Sequence, residues 1–141
     1  MIAQTKQQIA ALTGPDKSAK AADLQLRAHF RMIFYSPELC DRYLANAPDL
    51  GSTPSTGAAV SEAIQHLDLT PQMARFQFPV LVLQGRYDLN VTGDVAYTVA
   101  HNIPGAQFVW FEHSGHLPYY EEPDKYARVV ETFLQAQNHP R

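Results

Sequence analysis

The chain has 141 residues, 45% of them hydrophobic, with 11 Lys and Arg set against 14 Asp and Glu. That length and composition suit one globular domain, and a near balance of charge without a dense run of either sign excludes a nucleic-acid footprint and an anionic-membrane anchor. The single cysteine, Cys40, cannot close an internal disulfide, the first residues are too polar for a signal-peptide core, and the longest apolar run, Phe78 to Leu83, falls far short of the roughly 18 residues of a membrane span, so the expectation is a cytoplasmic chain with no membrane contact.

From Met1 to about Thr70 the pattern is helical and interrupted. Leu26, Phe30, Ile33 and Phe34 fall on one face of a helix that needs a partner surface. Ser36, Pro37 and Glu38 read as an N-cap, a first-turn proline whose missing N–H costs nothing there, and an acid favoured by the helix dipole; the helix they open should run through Leu39, Tyr43 and Leu44. Ala47 to Gly57 holds two prolines, two glycines and several small polar residues, which predicts a loop, and Val60, Ala63, Ile64 and Leu67 then resume helical spacing. Three or four short helices and no strand are expected in residues 1–70, a segment resembling a cap or lid.

After Pro71 the pattern changes. Pro79, Val80, Leu81, Val82 and Leu83 form a continuous apolar run ending at Gly85, as in a strand buried on both faces of a parallel sheet. A helix from about Gly93 to Asn102, with Val95, Val99 and Ile103 on one side, is closed by Pro104 and Gly105 before a second strand at Gln107 to Phe111. This β-α-β unit predicts parallel strands with a right-handed crossover. A last helix opens at Pro123 and presents Tyr126, Val129, Val130, Phe133 and Leu134 as a stripe for the sheet. Residues 71–141 are thus expected to form an α/β unit. Two parallel strands offer little surface, whereas a run as apolar as Phe78 to Leu83 belongs inside a sheet covered on both faces, so neighbouring strands are expected from elsewhere in a larger fold or from a second copy.

Two loops follow the C-terminal ends of the predicted strands, where open α/β sheets place reacting groups. They are Gly85-Arg86-Tyr87-Asp88 and Glu112-His113-Ser114-Gly115-His116. With the strands about 5 Å apart, Asp88 and His116 can reach hydrogen-bonding distance, and a carboxylate holding an imidazole is two thirds of a nucleophile-activating triad. Phe78 to Asp88, then Ile103-Pro104-Gly105, Ser114-Gly115-His116 and Glu121-Glu122-Pro123 before a closing amphipathic helix, resemble the C-terminal end of the α/β-hydrolase fold. Gly-Arg-Tyr-Asp and Ser-Gly-His look most like the proline-iminopeptidase branch, whose members hydrolyse amides or esters. The resemblance implies a partial α/β-hydrolase fold with Asp88 as triad acid and His116 as general base, in the family's chain order.

The departure is the nucleophile. No two of the glycines are spaced for a Gly-x-Ser-x-Gly elbow; Gly51 to Gly57 falls in the predicted loop with the wrong spacing, and Ser114 belongs to the histidine loop. The expectation is a fragment or split-gene product, with Met1 an internal start, that is inactive alone and takes a small-molecule or peptide substrate only when an N-terminal half supplies the serine. The alternative is a non-catalytic protein that pairs through its open sheet edge with a partner or a second copy. A third possibility is an intact enzyme using Cys40 or Ser114. His113 and His116 with Glu112 lack a third well-spaced metal ligand, so neither metal nor cofactor is expected. His29, His66, His101 and His139 read as surface or packing residues, Tyr119 and Tyr120 as pocket-mouth or packing residues, and Arg86 as a solvated or paired loop cation.

Overall fold

The structure, a computed structural model, describes residues 2–46, 60, 62 and 64–138. These group into two compact units, residues 1–32 with 37–67 and residues 33–36 with 68–141. The predicted loop at Ala47 to Gly57, with Gly51-Ser52 and Ser55, lies outside the described residues, as do Ala63 and His139.

The first unit is helical: α1 (Ile2–Ala10), most of α2 (Lys17–Ile33) and α3 (Pro37–Asn46). Gly14 turns the chain between α1 and α2 at φ +91°, a conformation that favours a residue without Cβ. Phe30 of α2 stacks on Tyr43 of α3 with ring centroids 5.2 Å apart, and Cys40 and Leu44 of α3 are buried. Arg27 bonds Asp23 one turn earlier, and Arg31 pairs with Asp41. Helix α3 opens at Pro37 as Ser36-Pro37-Glu38 predicts. The predicted stripe divides, however: Leu26 and Phe30 belong to this unit, whereas α2 stops at Ile33, and Ile33 and Phe34 are buried in the second unit. Val60, Glu62 and Ile64 are helical, but Leu67 lies past a turn at Gln65 and His66, and Val60, Ile64 and Leu67 are all exposed.

The second unit runs α4 (Thr70–Met73), β1 (Leu81–Gly85), α5 (Gly93–Asn102), β2 (Gln107–Phe111), α6 (Pro118–Glu121) and α7 (Pro123–Asn138). Strands β1 and β2 pair in parallel, Leu81 opposite Gln107 and Gly85 opposite Phe111. β1 starts two residues later than the apolar run suggests, because Pro79 has no N–H to give and the ladder begins where the Val80 carbonyl accepts the Gln107 N–H at 2.9 Å. Helix α5 and strand β2 have the expected limits, and Gly105 at φ +73° makes the turn between them.

Ile33, Phe34, Ala96, Ile103 and Phe111 form the core of this unit, Phe111 fully buried. The stripe on α7 is covered less than its spacing predicts: Tyr126, Val129, Val130 and Phe133 are half-buried and Leu134 is exposed. A floor two strands wide is narrower than a 16-residue amphipathic helix can use. Among the described residues, β1 has a strand on one side only, and no helix is long and apolar enough to cross a membrane.

Two glycines set the spacing of the sheet's C-terminal end. A Cβ on Gly85 would collide with the backbone carbonyls of Ser114 and Gly115, and one on Gly115 would collide with the carbonyl of Ile33. Because the obstacle at Gly115 is backbone, Gly115→Ala should destabilise the fold by about 1–3 kcal/mol, the range for overpacking a closed site; thermal unfolding of the variant beside wild type checks this, with an unchanged midpoint as the contrary result.

Candidate active site

The two loops after the strands are tied to each other through backbone before any side chain is considered. The Arg86 N–H donates to the Phe111 carbonyl at 2.8 Å and the Tyr87 N–H to the Ser114 carbonyl at 2.9 Å. The loop leaving β1 therefore runs beside the loop leaving β2, and Asp88 arrives opposite His116.

Asp88 Oδ2 lies 2.8 Å from His116 Nδ1. The other carboxylate oxygen, Oδ1, accepts the backbone N–H groups of Asn90 at 2.8 Å and Val91 at 3.0 Å, an Asx turn that fixes the carboxylate's rotamer. Buried Gln84 holds the same turn from behind, donating from Nε2 to the carbonyls of Gly85 and Val91. The Asp88 side chain is 6% exposed and that of His116 34%, so the acid is enclosed while the ring remains accessible. A carboxylate at Nδ1 selects the ring form with its proton on Nδ1, which leaves the Nε2 lone pair available as a base. Asn90 Nδ2 stands 3.3 Å from that Nε2.

The histidine loop is held by two adjacent glutamates whose part the sequence reading does not assign. Glu121 Oε1 accepts the N–H groups of Tyr35 and Ser36, and its Oε2 accepts that of Gly115 at 2.7 Å. Glu122 Oε2 accepts the His113 N–H and the Ser114 hydroxyl at 2.6 Å. The His116 N–H donates to the Ile33 carbonyl at 2.7 Å. Helix α6, which carries Glu121, is absent from the sequence expectations, although Pro118 at its start and the paired acids before Pro123 were signals of it.

Ser114 is fully buried with its hydroxyl committed to Glu122, and Cys40 is a buried residue of α3, so neither is presented as an accessible nucleophile. Arg86 makes a two-pronged bond to Glu112, 2.9 Å in each arm, and lies 4.0 Å over the Trp110 ring. The pairing holds the Glu112 carboxyl below the usual carboxylate range and raises the guanidinium above its own. His113 packs against Tyr35 and Tyr120 against Phe34. Among the described residues no three His, Cys, Asp or Glu side chains are grouped to hold a metal ion.

An open cleft of about 420 Å³ adjoins the pair. It is lined by Val82, Leu83, Gln84 and Gly85, by Val95, Ala96 and Val99 of α5, and by Pro118, Tyr119 and Tyr126, with Asp88, Val91 and His116 at the loop end. Four consecutive strand residues alternate between faces, so this cleft runs along the unpaired edge of β1 rather than over one face. Of the two readings left open for Tyr119, pocket mouth or packing, the side chain combines both: it lines the cleft and packs against Tyr126.

Glu121 meets three backbone donors from two segments, so Glu121→Ala should lower stability by about 2–3 kcal/mol, the range for losing hydrogen bonds to a charged acceptor; chemical denaturation checks it. The Glu112 carboxyl is depressed in the folded state, so its contribution is present above the unfolded value and is lost as pH falls through the folded one. The melting-point difference between wild type and Glu112→Gln should therefore be small but steady above about pH 5, close below about pH 4, and shrink with added salt because the pair is exposed. Melts across that range check it, and a difference that widens on acidification contradicts it.

Comparison with known proteins agrees with this architecture. The family model for the alpha/beta hydrolase fold matches residues 1–123. A proline iminopeptidase of Saccharolobus solfataricus is 39% identical over 71 residues, which is 50% of this chain and 23% of that protein. The crystal structure of a hydrolase from Pseudomonas aeruginosa superposes with a TM-score of 0.64 at 30% identity, covering 94% of this chain and 49% of the other. An alpha/beta fold family hydrolase from Bacillus anthracis gives a TM-score of 0.69 at 24% identity over 94% of this chain and 47% of the other. The chain spans about half the length of these solved hydrolases. With the family model matching most of its length and a parallel β-α-β-α unit in its structure, the chain belongs to the α/β-hydrolase family, on its proline-iminopeptidase-like side.

Proposed function

We propose that this chain carries the acid and the base of a serine hydrolase for amide or ester bonds and that the nucleophile comes from outside these 141 residues. The observation that supports the reading most directly is the 2.8 Å contact of Asp88 Oδ2 with His116 Nδ1 at the C-terminal ends of two parallel strands, in a sequence without a Gly-x-Ser-x-Gly elbow. In the completed enzyme a serine hydroxyl attacks the substrate carbonyl, His116 Nε2 takes its proton and returns it to the leaving group, and Asp88 keeps the ring oriented and balances its charge. Water then releases the acyl group from the serine with His116 again as base. The reaction needs no cofactor. The substrate is a small ester or amide or a peptide end, and the setting is cytoplasmic.

The cleft along the free edge of β1 is where the nucleophile-bearing segment docks, adding a strand beside Val82 to Gly85. The same edge favours a second reading, in which the chain is non-catalytic and pairs there with another copy of itself.

Purified chain should neither turn over a p-nitrophenyl ester nor label with a fluorophosphonate. Adding the N-terminal half of a related hydrolase in trans should restore both, and His116→Ala should then remove at least about a thousandfold of the turnover. Turnover and labelling by the chain alone, lost in His116→Ala, would overturn the missing-nucleophile reading. A stable dimer in sedimentation that the added half does not displace would favour the second reading.

A further inference from the structure

Every polar side-chain atom of the Asp88 and His116 pair has a partner within this one chain, including the atom that a nucleophile would use. Asp88 Oδ1 has the two N–H groups of its turn, Oδ2 has Nδ1, and Nε2 has the side-chain amide of Asn90 at 3.3 Å. We propose that Asn90 is a positioning residue for His116: its amide donates to Nε2, holds the ring in the orientation Asp88 sets, and stands where an incoming nucleophile's hydroxyl must bind. This inference rests on the acid and base reading of the same site.

The placement follows from the turn. Asp88 Oδ1 accepts the Asn90 backbone N–H, so the acid that fixes one side of the ring also fixes the backbone from which the Asn90 side chain reaches the other side. With the Nδ1 N–H donating to the carboxylate, Nε2 is an acceptor, and an Asn amide is a donor short enough to serve it from two residues along the same turn. Asn90 is exposed, and its side chain fills no core position. Its amide is also neutral, so it holds the ring without removing the base. A serine hydroxyl offers Nε2 the same donor geometry and displaces the amide one bond for one bond.

The test reads His116 directly in the full chain. In ¹⁵N-resolved NMR the wild-type ring should show its proton on Nδ1 and an Nε2 displaced upfield by the bond it accepts. Asn90→Leu, close in shape but without a donor, should move Nε2 downfield while leaving the Nδ1 proton in place. Carbethoxylation at His116, followed on its own peptide by mass spectrometry, should be about two- to tenfold faster in Asn90→Leu and in Asn90→Ala, the factor that freeing a lone pair from one neutral hydrogen bond allows. An Nε2 resonance unmoved in Asn90→Leu, or a faster reaction in Asn90→Ala but not in Asn90→Leu, would overturn the proposal, the latter because it shows mere steric cover. Asp88→Asn separates this from the underlying reading: if it moves the ring resonances and Asn90→Leu does not, only the role of Asn90 fails; if Asp88→Asn also leaves them unmoved, the acid and base pair itself fails.

Discussion

The backbone junction between the two strand-end loops is the constraint on which the rest of the site depends. Two hydrogen bonds, Arg86 N–H to Phe111 and Tyr87 N–H to Ser114, continue the pairing of β1 and β2 past the end of the sheet. They are possible because Gly85 lets the carbonyls of Ser114 and Gly115 come within the volume a Cβ would occupy. The Asp88 side chain beyond this junction is 6% exposed, and an exposed acid and imidazole would be a weak pair. Enclosure of Asp88 makes their bond a determinant of ring orientation.

Support for the histidine loop comes from outside the sheet. Glu121 and Glu122 present four carboxylate oxygens, three of which accept bonds from Tyr35, Ser36, His113, Ser114 and Gly115. The fourth, Glu122 Oε1, lies 4.0 Å from Lys125 Nζ. Ser114 is thereby a structural hydroxyl, and its proximity in sequence to His116 says nothing of nucleophilicity. The segment Ile33 to Ser36 is held in the second unit by the same device, since Glu121 caps its N–H groups and the Ile33 carbonyl accepts from His116.

How far the sequence discloses this depends on the range of each interaction. Helix α5 and strand β2 are legible to the residue because their ends are local: Gly93 at one, Pro104 and Gly105 at the other, and a clean apolar run between turns. The start of β1 is not, since it is set by where β2 offers a partner. Asp88 and His116 can be singled out because strand ends predict position and the family resemblance supplies chemical meaning. Gln84 and Asn90 escape notice, and Glu121 and Glu122 enter only as part of the family resemblance with no role attached, because a buried amide in a strand, a turn asparagine and a pair of acids before a helix are common, and their partners lie up to 86 residues away. The end of α2 at Ile33 has the same origin: helical spacing continues through Phe34, and the contact of Phe34 with Tyr120 takes it elsewhere.

The burial pattern of the second unit has its own logic. Strand β1 is an apolar sequence, yet Leu81, Val82 and Leu83 are only half-buried, and α7 has an apolar stripe with no fully buried residue. Burial deepens toward the strand end, at Gln84 and Gly85, where the loops close over the sheet. Cores close-packed to the usual density leave few such half-covered positions, and a free edge flanked by helix side chains is a template for another strand. The residues that orient the acid and the base are thus packed within this chain, whereas the middle of β1 and the α7 stripe have apolar surface to spare. That division puts the Asp88 and His116 pair at the most closely packed end of β1 and the uncovered apolar surface at its middle; under the function proposed above, a docking strand adds its own groups beside Gly85 without rebuilding that pair.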